Sequence, residues 1–226
     1  MAAEANRTGR RLERREGQGR SLRIEWPTVA LIAGCYAAWT AAGLLLWPQW
    51  PLAALVVLTL AVALQSSLMH EASHGHPTNR ALVNEVLVGL PIGLVYPFRR
   101  FRTLHLRHHA DERLTDPFDD PESYYQALWK HRALPGWLKA LLKINNTMVG
   151  RLLIGPAIAD TGFFLTDAKL AAAGDRAVRR AWLHHAVGLA LVLPVVVFAF
   201  GMPFWLYLAP VYFGQSLIAI RAFAEH

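Results

Sequence analysis

Two histidines and a glutamate stand together in the stretch HEASHGH, residues 70–76, and their types and spacing suit the binding of a metal ion. His70 and His74 are four residues apart, so on a helix both imidazoles lie on one face. Glu71 follows the first of them directly. H-E-x-x-H on a helix is the pattern of zinc proteases, in which the glutamate acts as general base. This motif alone predicts a metal site and leaves its chemistry open.

A second group of histidines lies in the stretch LHLRHH, residues 104–109. His105, His108 and His109 have the spacing i, i+3, i+4, which also places them on one helical face. Together the two groups supply five imidazoles, more than one tetrahedral zinc ion uses. Such a set suits two metal ions that prefer imidazole, with iron the natural candidate for oxygen chemistry. The only cysteine, Cys35, predicts neither a disulfide framework nor a cysteine-based metal site.

Several polar residues near these groups have open roles. Glu71 is a candidate partner for a metal-bound imidazole, which commonly needs a second hydrogen bond, and a solvated carboxylate fits equally well. His76 is a candidate outer ligand or a loop residue. Three arginines before the second group are candidates for gripping a headgroup or a carrier phosphate, or are interfacial cations: Arg99, Arg100 and Arg102. Three further histidines are expected to be surface or hydrogen-bonded residues: His131, His184 and His185.

The elements that must position these histidines are long apolar helices. Charged residues are absent from 27–47, from 51–69 and from 182–220, and the last block is interrupted at Gly201-Met202-Pro203. About 20 apolar residues cross the hydrocarbon core of a bilayer as a helix, whereas a buried helix of a soluble protein normally keeps a polar face. The sequence therefore predicts an all-α, multi-pass membrane protein with four transmembrane helices in two hairpins, at about residues 27–47, 51–69, 182–200 and 203–221.

The segment between the two hairpins carries both histidine groups and is predicted to be cytoplasmic and helical. Its stretch 81–96 is apolar but contains Gly, Pro and polar residues, which predicts a helix at the interface or one dipping back into the bilayer. Residues 137–155 mix apolar positions with spaced cations, as interfacial helices do. Residues 1–26 form a basic N-terminal tail.

Positive charge is distributed unevenly along the chain. Of the 23 Lys and Arg residues, seven lie in residues 1–25 and fifteen between Arg80 and Arg180, and the two short connections within the hairpins carry none. The positive-inside rule then places the N-terminus, the central segment and the C-terminus in the cytoplasm. The net charge of +7 is explained by contact with anionic lipid headgroups, and no nucleic-acid partner is predicted.

The order of these motifs resembles the integral-membrane fatty-acid desaturases, which belong to the wider group of membrane di-iron desaturases and hydroxylases. The resemblance rests on H-x3-H at His70 and His74, on H-x2-H-H at His105, His108 and His109, and on a pair of spans before and after them. Residues 27–226 are thus similar to a membrane desaturase domain. Bacterial acyl desaturases are also similar in HEASHGHPTNR, in YPFRRFRTLHLRHHADERLTDPFDDPESYY and in RAFAEH.

The resemblance implies two non-haem iron ions held by histidines from three boxes. It implies an enzyme of a bacterial cell membrane that uses O2, and two electrons from a ferredoxin or a cytochrome b5-type donor, to remove two hydrogens from an acyl chain. A further histidine of that family lies after the fourth span, where RAFAEH ends. The implied iron ligands in this chain are His70, His74, His105, His108, His109 and His226.

Three alternatives stay open at this point. The third H-x2-H-H box of that family is not reached before His226, so the chain is expected to be part of a longer protein or an inactive relative. Hydroxylation of a lipid by the same centre differs only in the fate of the substrate, and no residue separates the two reactions. An intramembrane zinc protease would use His70, Glu71 and His74 with a third ligand, and would leave the second histidine group unexplained.

Overall fold

The computed structural model of the protein describes residues 22–110 and 128–225, and every regular element in these two ranges is a helix. The predicted all-α class is confirmed. In chain order the helices are α1 (Trp26–Ala41), α2 (Pro51–Ser73), α3 (Ala81–Val88), α4 (Phe98–Ala110), α5 (Leu128–Ala133), α6 (Gly136–Asn145), α7 (Met148–Ala172), α8 (Arg176–Pro194) and α9 (Phe204–Glu225). Two of them continue into π-helical turns, α1 through Ala42–Leu46 and α8 through Val195–Ala199.

Local sequence signals explain several of the helix ends. Proline stands in the first turn of α1 and of α2, where its missing N–H is not needed by the helix. Asp175 caps α8, because its carboxylate accepts from the backbone N–H groups of Ala177 (2.8 Å) and Val178 (3.1 Å). Gly174, with φ of +92°, provides the left-handed residue after α7. The tight connection of α7 to α8 follows from these two neighbouring residues.

Four helices are long and apolar enough to cross a membrane: Trp26–Leu46, Pro51–Ser73, Met148–Ala172 and Arg176–Ala199. The first, second and fourth of these correspond to the predicted spans 27–47, 51–69 and 182–200. The predicted span 203–221 is helix α9, whose apolar stretch Phe204–Ile220 is shorter than the other four. Large apolar side chains point outward, with Leu52 80 % and Phe198 82 % exposed. Such an apolar exterior suits a protein surrounded by lipid.

Helix α7 is the main difference from the sequence-based prediction. The sequence predicts residues 137–155 to be interfacial, whereas the structure divides them between α6 and α7. By length and composition α7 is a candidate span, although it carries Asp160 and Asp167. Both carboxylates accept hydrogen bonds inside the protein, from Tyr96 and from Arg100 respectively. Charges that look solvated in the sequence are therefore partnered in the fold.

Helices α1, α2, α8 and α9 share one apolar core. Helix α9 packs along α2, and the two helices approach closely at Gly214, where an added Cβ would lie 2.7 Å from Val62 Cγ1 and 3.1 Å from the Thr59 carbonyl oxygen. Glycine permits this approach of two helix backbones. On the other side of α2, the Cys35 thiol of α1 donates to the Ala61 carbonyl oxygen over 3.3 Å.

The chain between α3 and α4, residues 89–97, is not helical and passes through this core. Its Ile92 is fully buried (0 % exposed), and Pro91 and Pro97 are also buried. The apolar stretch 81–96 is thus a short helix followed by an irregular segment and not one continuous helix. Glycine and proline between 89 and 97 explain the interruption, because both disfavour a helix interior. We call residues 89–97 the inserted segment.

Candidate metal centre

The first two histidines of the candidate centre lie at the end of α2. His70 is in its last turn, and His74 is the residue that follows the helix, with φ of −85° and ψ of 2°. Gly75 comes next with φ of +95°, a conformation in which glycine is favoured, and turns the chain away from the helix axis. The local sequence therefore ends the helix at the place where both imidazoles project from it.

The second pair of histidines lies on α4. His105 and His109 are one helical turn apart, and their rings are in contact, with centroids 4.4 Å apart. His105 is buried, with 5 % exposure. The ring of Phe101 stacks on that of His105 at 5.5 Å with an interplanar angle of 5°. Phe101 thereby covers one face of the His105 ring, whereas His109 is exposed.

Tertiary packing brings the two pairs together into what we call the four-histidine cluster: His70, His74, His105 and His109. One ring nitrogen from each of these residues lies within 4.8 Å of the other three. The Nε2 atoms of His74 and His105 are 2.9 Å apart, and those of His105 and His109 are 3.1 Å apart. The structure thus joins residues that are 31 or more positions apart between the two motifs.

The two shortest separations fit neighbouring ligands of one metal ion, whereas the widest separation in the cluster, up to 4.8 Å, would have to shorten around an ion. Ligand nitrogens at about 2.0–2.1 Å from an ion lie about 2.9–3.4 Å from one another. An N–H···N hydrogen bond between two imidazoles has a similar length. Such a bond joins only two rings, however, and four lie together here. Partial burial of the His74 ring, and then the neighbouring His70, His105 and His109, lower the pKa of His74, while Glu71 acts to raise it. A neutral imidazole is the form that binds metal.

Glu71 lies beside the cluster and not within it. Its carboxylate Oε1 is 3.3 Å from His70 Nδ1, and its side chain is half exposed. A carboxylate at Nδ1 favours the tautomer whose Nε2 has a free lone pair, which is the usual arrangement around metal-bound histidine. The predicted outer role of Glu71 has the required geometry, and the role itself stays a prediction.

His76 is directed away from the cluster. Its Nδ1 pairs with Glu25 Oε2 over 2.7 Å, next to a backbone hydrogen bond from the Glu25 N–H to the Pro77 carbonyl oxygen (2.9 Å). An isolated bridge between Ile24 and Thr78 continues this contact. His76 therefore joins the start of α1 to the loop after the first histidine pair.

The other predicted histidines divide into two groups. His108 lies within α4, but its side chain is outside the described residues, as is all of His226, so both stay predictions as ligands. The remaining three have ordinary surroundings: His131 is exposed, His184 Nδ1 is 2.6 Å from the Arg180 carbonyl oxygen, and His185 Nε2 donates to the Leu94 carbonyl oxygen. Their positions agree with the expected surface or hydrogen-bonded roles.

Two arginines of α4 have partners that sequence reasoning missed. Arg100 binds both carboxylate oxygens of Asp167 in α7, with its Nε 2.8 Å from Oδ2 and its Nη2 2.6 Å from Oδ1. Trp182 of α8 donates to the same carboxylate over 2.8 Å. Arg99 pairs with Glu85 of α3 over 2.5 Å. These ion pairs connect the histidine-bearing helix α4 to α3 and to α7. The only signal for them in the sequence is a single acidic residue within an apolar stretch, as Glu85 is in 81–96.

Comparison with known proteins gives a match that is independent of this geometry. The family model described as fatty acid desaturase matches residues 45–226, which include both histidine motifs and every helix from α2 onward. Comparisons with curated proteins and with solved structures found no match.

Proposed function

The chain belongs to the fatty acid desaturase family, and we propose that it is a membrane-bound, O2-dependent desaturase that introduces a double bond into a fatty acyl chain with a di-iron centre. The observation that carries this proposal is the convergence of His70, His74, His105 and His109 from two separate motifs onto one point. Four imidazoles suit iron. Family membership supplies the acyl substrate class, and the iron chemistry is the proposed step beyond it.

The chain's histidines divide naturally between two ions. The four-histidine cluster has the donors for a first ion. His108 and His226 are then left as ligands for a second ion, which needs further donors. When bound, the iron pair supplies an oxidant able to attack an unactivated C–H bond, with O2 and two external electrons as inputs.

The protein's own part is to hold the donors and to cover the innermost of them, since His105 is buried whereas His74 and His109 are exposed. Phe101 covers the His105 ring, and Met69 and Ala72 lie buried next to the first histidine pair. The Glu71 carboxylate is placed to accept a hydrogen bond from the Nδ1–H group of His70. Because the cluster lies at the end of an apolar, span-length helix, an acyl chain can approach it from the bilayer while electrons arrive from the aqueous side.

The chain is a multi-pass membrane protein by its four apolar helices and its family. We further propose that both termini and the cluster face the cytoplasm of a bacterial cell, as the distribution of Lys and Arg supports. The exposed Arg102 and Arg107 on α4 leave a positive surface beside the cluster. That charge suits an acidic donor of the ferredoxin or cytochrome b5 type.

The first experiment is metal analysis of the purified chain, followed by an assay of lipid products. The chain is expressed in membranes, purified in mild detergent, and iron and zinc are measured per polypeptide. Iron bound in the wild type and absent after replacement of His105 and His109 by Ala supports the proposed centre. A single zinc that survives these replacements contradicts it and favours the protease alternative.

Hydroxylation is the second candidate reaction, and the products decide between the two. With iron, O2 and a reduced ferredoxin, desaturation removes two hydrogens from the acyl chain, whereas hydroxylation adds one oxygen atom. Mass spectrometry of the recovered acyl chains distinguishes the two changes. An iron-loaded chain that forms neither product would be an inactive member of the family.

A further inference from the structure

The inserted segment has an unusual hydrogen-bonding situation. Residues 89–97 lie among span-length helices without helical hydrogen bonds of their own, and a buried carbonyl group without a partner is costly in an apolar environment. Non-helical backbone is tolerated there only where protein groups satisfy it. Within the segment, backbone N–H groups two or three residues on donate to the carbonyl oxygens of Leu90, Pro91 and Gly93, and further partners come from the surrounding helices.

Helices α1 and α2 supply the first partners. The Gln65 amide of α2, which is 3 % exposed, donates to the carbonyl oxygens of Leu90 (2.5 Å) and Val88 (3.3 Å). The Tyr36 hydroxyl of α1 also donates to Leu90, over a longer distance of 3.4 Å. A single glutamine side chain thus satisfies two carbonyl groups at the point where α3 ends.

Helices α8 and α9 supply the other partners. The Tyr207 hydroxyl of α9 donates to the Ile92 carbonyl oxygen over 2.7 Å and accepts from Trp39 Nε1 over 2.8 Å. The His185 Nε2 of α8 donates to the Leu94 carbonyl oxygen over 2.8 Å. Four different helices therefore each contribute one polar side chain to the same segment.

The fit of the segment is tight as well as polar. A Cβ added at Gly188 of α8 would lie 2.6 Å from Pro91 Cδ and 3.0 Å from Pro91 Cγ. Tyr207 and Ile92 are both fully buried. The segment consequently has little freedom to shift relative to the helices around it.

The inserted segment leads directly into the histidine-bearing helix. Pro97 accepts backbone hydrogen bonds from Arg100 and Phe101, 2.9 Å each, which begin α4. Phe101 then stacks on His105. Gln65 itself lies in α2, the helix that carries His70 five positions later. Gln65 therefore connects the helix of the first histidine pair to the chain that leads to the second pair.

We propose that Gln65 and Tyr207 are positioning residues for the four-histidine cluster. By fixing the carbonyl groups of the inserted segment, they set the place at which α4 begins and so the separation of the two histidine pairs. The link to metal binding rests on the proposed function. The link to α4 rests on the hydrogen bonds alone.

The chain offers a matched control on the same helix. Tyr207→Phe removes a hydroxyl that donates to the inserted segment, whereas Tyr212→Phe removes one that donates to the Leu153 carbonyl oxygen of α7 over 2.5 Å. The two substitutions are chemically identical, but only Tyr207→Phe also removes the acceptor of the buried Trp39 Nε1, so Gln65→Met, which leaves Trp39 paired, is expected to show the same effect. Gln65→Met removes the amide donor while keeping a side chain of similar length. Tyr36→Phe removes only the longest of these hydrogen bonds, so its effect should be the smallest of the set.

The first measurement is Co²⁺ binding to the purified full chain, followed by its visible absorption bands, which report coordination geometry. Tyr207→Phe and Gln65→Met are expected to weaken binding by about tenfold or less, because residues that touch no ligand act only through the packed elements between them, and to change the band shape. Tyr212→Phe is expected to match the wild type in both. Equal spectra and affinities for Tyr207→Phe and Tyr212→Phe would overturn the proposal.

A second measurement needs no metal. Hydrogen exchange of the α4 backbone amides, followed by mass spectrometry in detergent, should be faster in Tyr207→Phe than in Tyr212→Phe, and unchanged exchange in α4 would refute the positioning role. If the wild type binds no Co²⁺, the proposed metal centre fails, and hydrogen exchange alone decides the positioning role. If Gln65→Met does not insert into membranes, Tyr207→Phe, which lacks one oxygen atom only, still carries the test.

Discussion

His105 occupies the middle of the four-histidine cluster. Its Nε2 is the atom that lies 2.9 Å from His74 and 3.1 Å from His109, and its ring also contacts that of His70, with centroids 4.4 Å apart. His105 is also buried, so bulk water has little access to its ring nitrogen. Among the described histidines, His105 therefore has the strongest influence on any ion held there.

Replacing His105 by Ala should abolish metal binding by the cluster. The remaining three imidazoles lose the donor between them, and the Phe101 ring loses its stacking partner. Bound iron or Co²⁺ per polypeptide is the measurement. His131→Ala, an exposed histidine of α5, is the matched control and should bind as the wild type does. Full metal occupancy in His105→Ala would exclude the cluster as the metal site.

Glu71 separates the desaturase from the protease alternative. In the proposed centre it only supports His70, so Glu71→Gln should weaken metal affinity by about tenfold or less and leave some oxidase activity. In a zinc protease the same glutamate is the general base, and its loss would abolish hydrolysis. Metal titration and a peptidase assay of the wild type and of Glu71→Gln test these two expectations. Peptidase activity in the wild type that disappears in Glu71→Gln would contradict the desaturase proposal.

At the scale of elements, α4 is held in place by charged contacts on both sides. Arg100 lies nearly buried against Asp167, whose side chain is 2 % exposed, and Trp182 completes the contact. Arg99 and Glu85 form the second tie, to α3. Because a helix of 13 residues has little stability alone, these contacts and the inserted segment decide its orientation.

Asp167→Asn should destabilise the fold, because it leaves the Arg100 guanidinium buried without a counter-charge. Breaking such a pair costs about 3 kcal/mol or more in the free energy of unfolding. Denaturant unfolding in mild detergent measures the change. Ser216→Ala is the control, since it removes a buried hydrogen bond between α9 and α7 (2.7 Å to the Leu152 carbonyl oxygen) and should cost about 1 kcal/mol. Equal losses for the two variants would show that the ion pair has no special weight.

At the scale of the whole molecule, the path of α7 decides the topology. Helix α7 has the length and composition of a span, yet cations flank it on both sides, with Lys139 and Lys143 before it and Arg176 and Arg179 after it. The positive-inside rule favours a cytoplasmic location for both flanks. We therefore predict that α7 does not cross the bilayer.

Single cysteines at Asn146 and Ala173, two exposed positions at the ends of α7, test this topology. Both Asn146→Cys and Ala173→Cys should react with a membrane-impermeant maleimide only when the cytoplasmic face is accessible. The native Cys35 is 1 % exposed and should give little background. Labelling of the two positions from opposite faces would show that α7 crosses the membrane.

Much of the architecture follows from local sequence alone. Uninterrupted apolar stretches predict α1, α2 and α8 because a spanning helix must satisfy its own backbone and face lipid with its side chains. The spacing of His70 and His74, and of His105 and His109, predicts convergent imidazoles because helical geometry is local. The interfacial prediction for residues 137–155 rests on their spaced cations, and sequence alone does not show that Asp160 and Asp167, further along α7, have internal partners.

The order of residues therefore determines the helices and the presence of two histidine pairs, because both depend on neighbours within one or two turns. Tertiary structure alone decides that the pairs meet, since His74 and His105 are 31 positions apart and are joined through packing. It also decides that Gln65, Tyr207 and Asp167 matter, although none belongs to a motif. Their partners lie 25, 115 and 67 positions away, and a contact of that kind exists only once the chain has folded.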